Sequence, residues 1–158
     1  MLHLLDYPFD SQTIMKKRRG LKRELLSFGG NFLDKKVAIL GGSTTKDITE
    51  ILELFLLKNN IKPAFYESEF GQYWEDAIFD NPILEEFSPD LFYIHTSNRN
   101  LQHYPSPSSS KKEIDQSLSN EFTRYEKMWD SLRKKYGCLV IQNNFELPFF
   151  RILGNLDS

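Results

Sequence analysis

Val37-Ala38-Ile39-Leu40 is an unbroken apolar run closed by Gly41-Gly42. A strand with one wet face alternates polar and apolar side chains, so such a run predicts a strand covered on both faces. Further short strands are predicted at Lys62–Glu67, Leu91–His95 and Cys138–Ile141. Between them the period changes to that of a helix. Ile14, Leu21, Leu25 and Phe28 share one face of a helix over Ser11–Phe28, with Ser11 as its N-cap and Gly29-Gly30-Asn31 as its stop. Thr44 or Thr45 caps the next, which runs to about Lys58 and turns Ile48, Ile51, Leu52 and Phe55 inward. Short helices fit Tyr73–Phe79 and Pro82–Phe87. The clearest stripe is Ile114, Leu118, Phe122, Tyr125, Trp129, Leu132 and Tyr136, stepping by four or three and ended by Gly137. Strands alternating with helical crossovers predict an α/β three-layer sandwich with a mainly parallel sheet.

Composition narrows the classes. Of 158 residues, 40% are hydrophobic, enough for a full core. Twenty Lys and Arg against 22 Asp and Glu leave a net charge of -2, which argues against a nucleic-acid-binding domain. A lone cysteine, Cys138, excludes an internal disulfide framework and a multi-cysteine zinc site, and is expected in the core. No segment approaches the roughly 18 apolar residues of a membrane span, and Met1–Asp10 lacks the basic start and apolar run of a signal peptide. The expectation is a cytoplasmic protein. Residues 1–35 read as a helical extension and 36–158 as the α/β domain. The chain ends on Leu153-Gly154-Asn155-Leu156-Asp157-Ser158 with no closing element, so this domain reads as truncated at its C-terminus.

In parallel sheets of this kind, ligands bind beyond the carboxyl ends of the strands. Four polar or glycine-bearing segments are predicted to meet there: Gly41–Thr45, Glu67–Tyr73, Thr96–Asn100 and Gln142–Asn144. After the first strand, Gly41-Gly42-Ser43 leads straight into a helix, whose free N–H groups attract anions. The same arrangement suits acyl transfer, with a serine beside an oxyanion hole. The spacing is neither that of a Walker loop nor that of the dinucleotide fingerprint. The plain structural reading is a tight turn with Ser43 or Thr44 as N-cap. The Asn98 amide, at the exit of the third strand, is positioned in sequence to donate to an oxyanion above Ser43.

The serine turn, the later Gly71 and Asn98 resemble the blocks of SGNH (GDSL-like) hydrolases, in which Ser43 falls on the nucleophile, Gly71 on the second-block glycine and Asn98 on the oxyanion-hole asparagine. Over a longer span, Ala38–Thr45, Phe70–Trp74, Tyr93–Arg99 and Val140–Pro148 resemble the N-terminal domain of FkbH-like proteins of the HAD superfamily. The resemblance implies an SGNH- or flavodoxin-like fold and a following HAD domain that handles phosphorylated three-carbon donors and acyl carrier proteins. Two departures stand out. Gly42 and Arg99 occupy positions where the hydrolases carry aspartates, and no Asp-x-x-His occurs. A serine without a base is a poor nucleophile.

The expectation is therefore a module that binds or positions an acyl group, a carrier protein or a partner domain, and does not catalyse alone. Gly42, Ser43, Thr44, Gly71, Asn98 and Asn143 are its candidate ligand-facing residues, with no metal or cofactor. The alternative is a serine esterase using Ser43, with Ser43 N–H, Gly71 N–H and the Asn98 amide as oxyanion donors and its histidine supplied beyond residue 158. A third reading is a phosphate or small-molecule site at Gly41–Thr45 without covalent chemistry.

Other features read plainly. His95 is expected as a satisfied polar residue beside the sheet edge, and His103 as a solvated one, only loosely a base candidate. Lys16, Lys17, Arg18, Arg19, Lys22 and Arg23 form a basic helix face, read as solvated; the sharper reading is a docking surface for an acidic carrier protein or a following domain. Pro63–Asn98 holds eight acidic residues and no Lys or Arg. These are read as surface acids above packed aromatics, although Glu67 and Glu69 lie near the predicted ligand edge.

Overall fold

The structure, a computed structural model, describes residues 2–28 and 30–146. After a 3-10 turn at Leu2–Leu5 the elements are α1 (Ser11–Ser27), β1 (Leu33–Gly41), α2 (Lys46–Lys58), β2 (Ile61–Glu67), α3 (Tyr73–Ile78), α4 (Pro82–Phe87), β3 (Leu91–His95), a 3-10 turn at Asn98–Asn100, α5 (Lys111–Tyr136) and β4 (Leu139–Gln142). The four strands pair in the order β2-β1-β3-β4, all parallel. This is an α/β three-layer arrangement, and its strand order is that of the first four strands of doubly wound flavodoxin-like sheets. No described helix is long and apolar enough to cross a membrane.

The apolar run of β1 is buried on both faces. Ala38 and Leu40 join Phe92 and Ile94 of β3 beneath Tyr73, Ala77, Leu84, Tyr125, Met128 and Leu132. Val37 and Ile39, pointing the other way, are buried as well. The opposite helical layer is thinner. There α1 packs on α2, and Leu5, Ile14, Leu21, Leu25, Leu54 and Leu57 form a second core. This double contact explains a difference from the expected α2 stripe: Thr49, Leu54 and Leu57 are the buried residues, while Ile48, Ile51, Leu52 and Phe55 are half-buried. Two cations of the basic α1 face reach across the same seam, Arg18 to Glu50 and Lys22 to Glu53.

Among the described residues, the α2 side leaves β4 uncovered. Leu139 and Ile141 of β4 are exposed, and a cavity of about 540 Å³ lies between this face and Ile48, Leu52 and Leu56 of α2. On the other side α5 is longer than the sheet beneath it. Its 26 residues span about 39 Å, against roughly 13 Å for a four-residue strand. Its N-terminal half therefore overhangs the strand ends, and Leu118 and Phe122 of the predicted stripe are exposed.

Local chemistry sets the boundaries. Asp10, not Ser11, caps α1; its carboxylate accepts from the Gln12 N–H at 3.0 Å and the Thr13 hydroxyl at 2.7 Å. Ser110 and Glu113 form a reciprocal capping box at the start of α5, and Gly137 ends it in the left-handed region at φ 63°. Asp90 fastens β3 to β1 at the amino edge, accepting from the Lys36 N–H at 2.7 Å and the Lys35 ammonium at 3.1 Å. These bonds hold the Asp90 carboxyl below its usual range, the Lys36 N–H most of all. β1 starts earlier than the apolar run because Leu33–Lys36 pair with Ile61–Ala64 of β2. Cys138 is half-buried against the core just before β4, and desolvation pushes its thiol pKa up.

Two leucines test this packing. Leu54→Ala empties a fully buried site between α1 and α2 and should cost about 2–5 kcal/mol in urea denaturation. Leu118→Ala, on the overhang, should change stability by about 0.5 kcal/mol or less.

Candidate functional site

The exits of all four strands lie along the carboxyl edge, and hydrogen bonds join their loops. At the first exit the Gly41 N–H donates to the Ser68 hydroxyl at 3.0 Å, and the Gly42 N–H to the His95 carbonyl at 2.8 Å. The turn is therefore tied to the exits of both neighbouring strands. A side chain at either glycine would force a neighbour to move. A Cβ on Gly41 would lie 2.5 Å from the Thr45 methyl and 2.8 Å from the Ser43 carbonyl oxygen. A Cβ on Gly42 would lie 2.4 Å from the Asn100 amide nitrogen.

Asn100 is the residue that sequence reasoning missed. Its Nδ2 donates to the Gly42 carbonyl at 2.9 Å, and its Oδ1 accepts from the Ser97 N–H at 2.8 Å. One amide thus closes the Asn98–Asn100 turn and holds the serine turn of β1. Asn98 sits in the same turn, half-buried; its carbonyl accepts from the Tyr104 hydroxyl, and its side-chain amide has no partner among the described residues. The spacing Ser97-x-x-Asn100 was the available signal. It resembles a capping box but carries Asn where Glu or Gln is usual.

Ser43 and Thr44 are exposed, and neither side chain has a hydrogen-bond partner among the described residues. Thr45 occupies the N-cap position of α2 but does not cap it. Its hydroxyl instead donates to Glu67 Oε2 at 2.9 Å, linking the exits of β1 and β2. Neither Ser43 nor Thr44 takes over the capping role. Gly71 lies in the exposed turn before α3 at φ 79°, with open space where a side chain would stand.

The exits of β3 and β4 are joined by amides as well. Asn143 Oδ1 accepts from the Thr96 N–H at 3.0 Å, while its Nδ2 donates to the Thr96 carbonyl at 2.8 Å and the Asn144 carbonyl at 2.9 Å. Its amide is fully engaged in the protein. Gln142 donates to the Thr96 hydroxyl at 3.0 Å and accepts from the Trp129 indole at 2.6 Å. Arg124 braces the edge from α5. Its guanidinium lies 4.5 Å from the Trp74 ring centre, donates to the Tyr73 hydroxyl at 2.9 Å and reaches the Asn100 carbonyl at 3.4 Å.

No histidine is bonded to Ser43. His95 lies beside Tyr93 with its Nδ1 buried and unpartnered, so the expectation of a satisfied histidine is not met. His103 is paired, not simply solvated; its Nδ1 lies 2.7 Å from Glu121 Oε1. Among the acids of Pro63–Asn98, Asp76 is buried, accepting from Tyr66 and Asn81 at 2.9 and 2.8 Å. Desolvation and this carboxylate push the Tyr66 pKa up to about 12. Among the described residues no group of three His, Cys, Asp or Glu is placed to hold a metal ion.

No protein-family model and no curated protein matches the chain. A solved structure does match its fold: the N-terminal part of the protein BF1531 from Bacteroides fragilis, containing a phosphatase domain complexed with Mg. The likeness has a TM-score of 0.66 at 20% identity, over 89% of this chain and 35% of that one. The chain thus spans about a third of the length of that neighbour.

The Gly42–Asn100 contact can be measured as a coupling. Gly42→Ala alone should destabilise the protein because its methyl meets the Asn100 amide. In an Asn100→Gly background the same change should cost less, leaving an interaction of about 0.5–3 kcal/mol in a double-mutant cycle of denaturation midpoints.

Proposed function

We propose that this chain is the SGNH-like N-terminal module of an FkbH-like protein of the HAD superfamily, with residues 1–35 as a helical extension and 36–158 as the module. It binds or positions an acyl group, a carrier protein or the partner HAD domain, and it does not carry out chemistry alone. The observation that supports this reading best is the fold likeness to the N-terminal part of a protein that contains a phosphatase domain. The motifs at Ala38–Thr45, Phe70–Trp74, Tyr93–Arg99 and Val140–Pro148 add to it.

The local chemistry supports binding over catalysis. A serine nucleophile needs a base to take its proton, and the hydroxyl of Ser43 has none among the described residues. The glycine at position 42 stands against the Asn100 amide, so an aspartate there, as in the hydrolases, would first have to displace that amide. Ser43 and Thr44 remain exposed at the strand edge, beside an α2 start with no side-chain cap. They are the residues that a partner or ligand at this edge would touch.

A serine-directed fluorophosphonate probe should leave the protein unlabelled at neutral pH. Labelling that vanishes in Ser43→Ala would overturn the non-catalytic reading in favour of the esterase. The family assignment is tested separately by reading the coding sequence onward from residue 158. An Asp-x-Asp-x-Thr motif is expected there, and an Asp-x-x-His without it would count for the hydrolase.

A further inference from the structure

The overhang of α5 creates a second feature at the carboxyl edge. Leu101, Ile114, Leu118, Phe122, Trp129 and Phe145 wall a cavity of about 610 Å³ between α5, the loop before it and the exit of β4. That volume and its apolar lining are typical of small-molecule sites. Leu118, Phe122 and Phe145 are exposed at 66%, 59% and 40%, which is unusual for side chains of this size gathered in one place.

One polar group on this wall has an enforced orientation. His103 is half-exposed, while Glu121, which holds it, is buried in the helix face behind. Glu121 Oε1 accepts from the His103 ring at 2.7 Å and from the Gln102 and His103 N–H groups at 2.9 Å each. Its other oxygen faces the Arg124 guanidinium at 3.7 Å. Burial alone would raise the Glu121 pKa, but the ring, the two N–H groups and Arg124 together hold it below the usual range. An ionised carboxylate only accepts hydrogen bonds, so the imidazole carries its proton on Nδ1. Nε2 is then the nitrogen left for a ligand.

The charges give that ligand its sign. With Glu121 ionised between His103 and Arg124, a proton added to His103 leaves the three groups with one net positive charge at the rim of an apolar cavity. Besides Glu121 and His103, the titratable residues lining the cavity are Tyr104 and Tyr125; Gln142, Asn143 and Asn144 from the β4 exit are uncharged. We infer that this cavity is a binding site for a small carboxylate with an apolar body, its head taken by protonated His103 and its body by the walls. The inference does not rest on the module reading, which survives if this one fails.

Binding then takes up a proton, so affinity is highest with His103 charged and weakens at alkaline pH. Decanoate is a suitable probe, followed by isothermal titration at pH 6.0 and 8.5. The dissociation constant should weaken about tenfold or more between the two, because the head group is taken by the charged form of the imidazole. His103→Gln should weaken binding at pH 6.0 by a similar factor and abolish the pH dependence. Leu118→Glu places a carboxylate in the mouth and should remove binding with the melting temperature unchanged. 1-Decanol should bind more weakly than decanoate at pH 6.0, with no pH dependence. Equal decanoate binding at both pH values, or equal binding of decanoate and decanol at pH 6.0, would overturn the inference. So would the absence of decanoate binding at pH 6.0. If Leu118→Glu then also lowered the melting temperature by several degrees, the groove would be filled by the protein's own chain.

Discussion

Burial of β1 on both of its faces is the constraint on which the other elements depend. Val37 and Ile39 require a helical layer on one side, and Ala38 and Leu40 require one on the other. β2 and β3 flank its second half, so the backbone of Val37–Gly41 is paired on both sides. A strand enclosed in this way must end abruptly, because its next residues leave the core for water within one turn. Gly41 and Gly42 make that exit; the first leaves room for Ser43 and Thr45 of its own turn, and the second for the Asn100 amide from the β3 loop.

The carboxyl edge is held by amides more than by charges. Asn100, Asn143 and Gln142 each bond to a neighbouring loop or to the helix above, so the exits of β1, β3 and β4 are joined by neutral hydrogen bonds. Such a network is insensitive to pH and to salt, unlike an edge built on ion pairs. Ionisable groups sit one layer further out, where Arg124 lies on the aromatic faces of Trp74 and Tyr73 and Glu121 fixes His103. The edge is thus rigid near the strands and responsive at its rim.

The architecture was legible because it depends on period. The apolar run of β1 and the helical stripes of α1 and α5 are local signals, and each marks an element that exists. What the stripes could not show was how far each one is covered. Ile48 and Leu52 fit an inward face, but burial on α2 follows its contact with α1, which no local pattern encodes. Leu118 and Phe122 keep the period of α5 after the sheet beneath has ended. At the edge, glycines marked the turn, whereas the choice of Asn100 as its anchor came from two loops meeting 58 residues apart in sequence. His103 and Glu121, 18 residues apart and on different elements, were invisible as a pair for the same reason.

Beyond β4, the sheet offers no further strand among the described residues. One side of β4 therefore carries backbone donors and acceptors without a ladder partner, and the same strand shows Leu139 and Ile141 to solvent on the α2 side. Natural edge strands are blunted by shortness, by lysine or proline, or by a bulge; Leu139-Val140-Ile141-Gln142 carries no lysine or proline, and its protection is its length of four residues. So short a ribbon gives a second chain few backbone groups to pair with. The apolar side chains on its α2 side, more than its backbone, are what this end of the sheet presents to its surroundings.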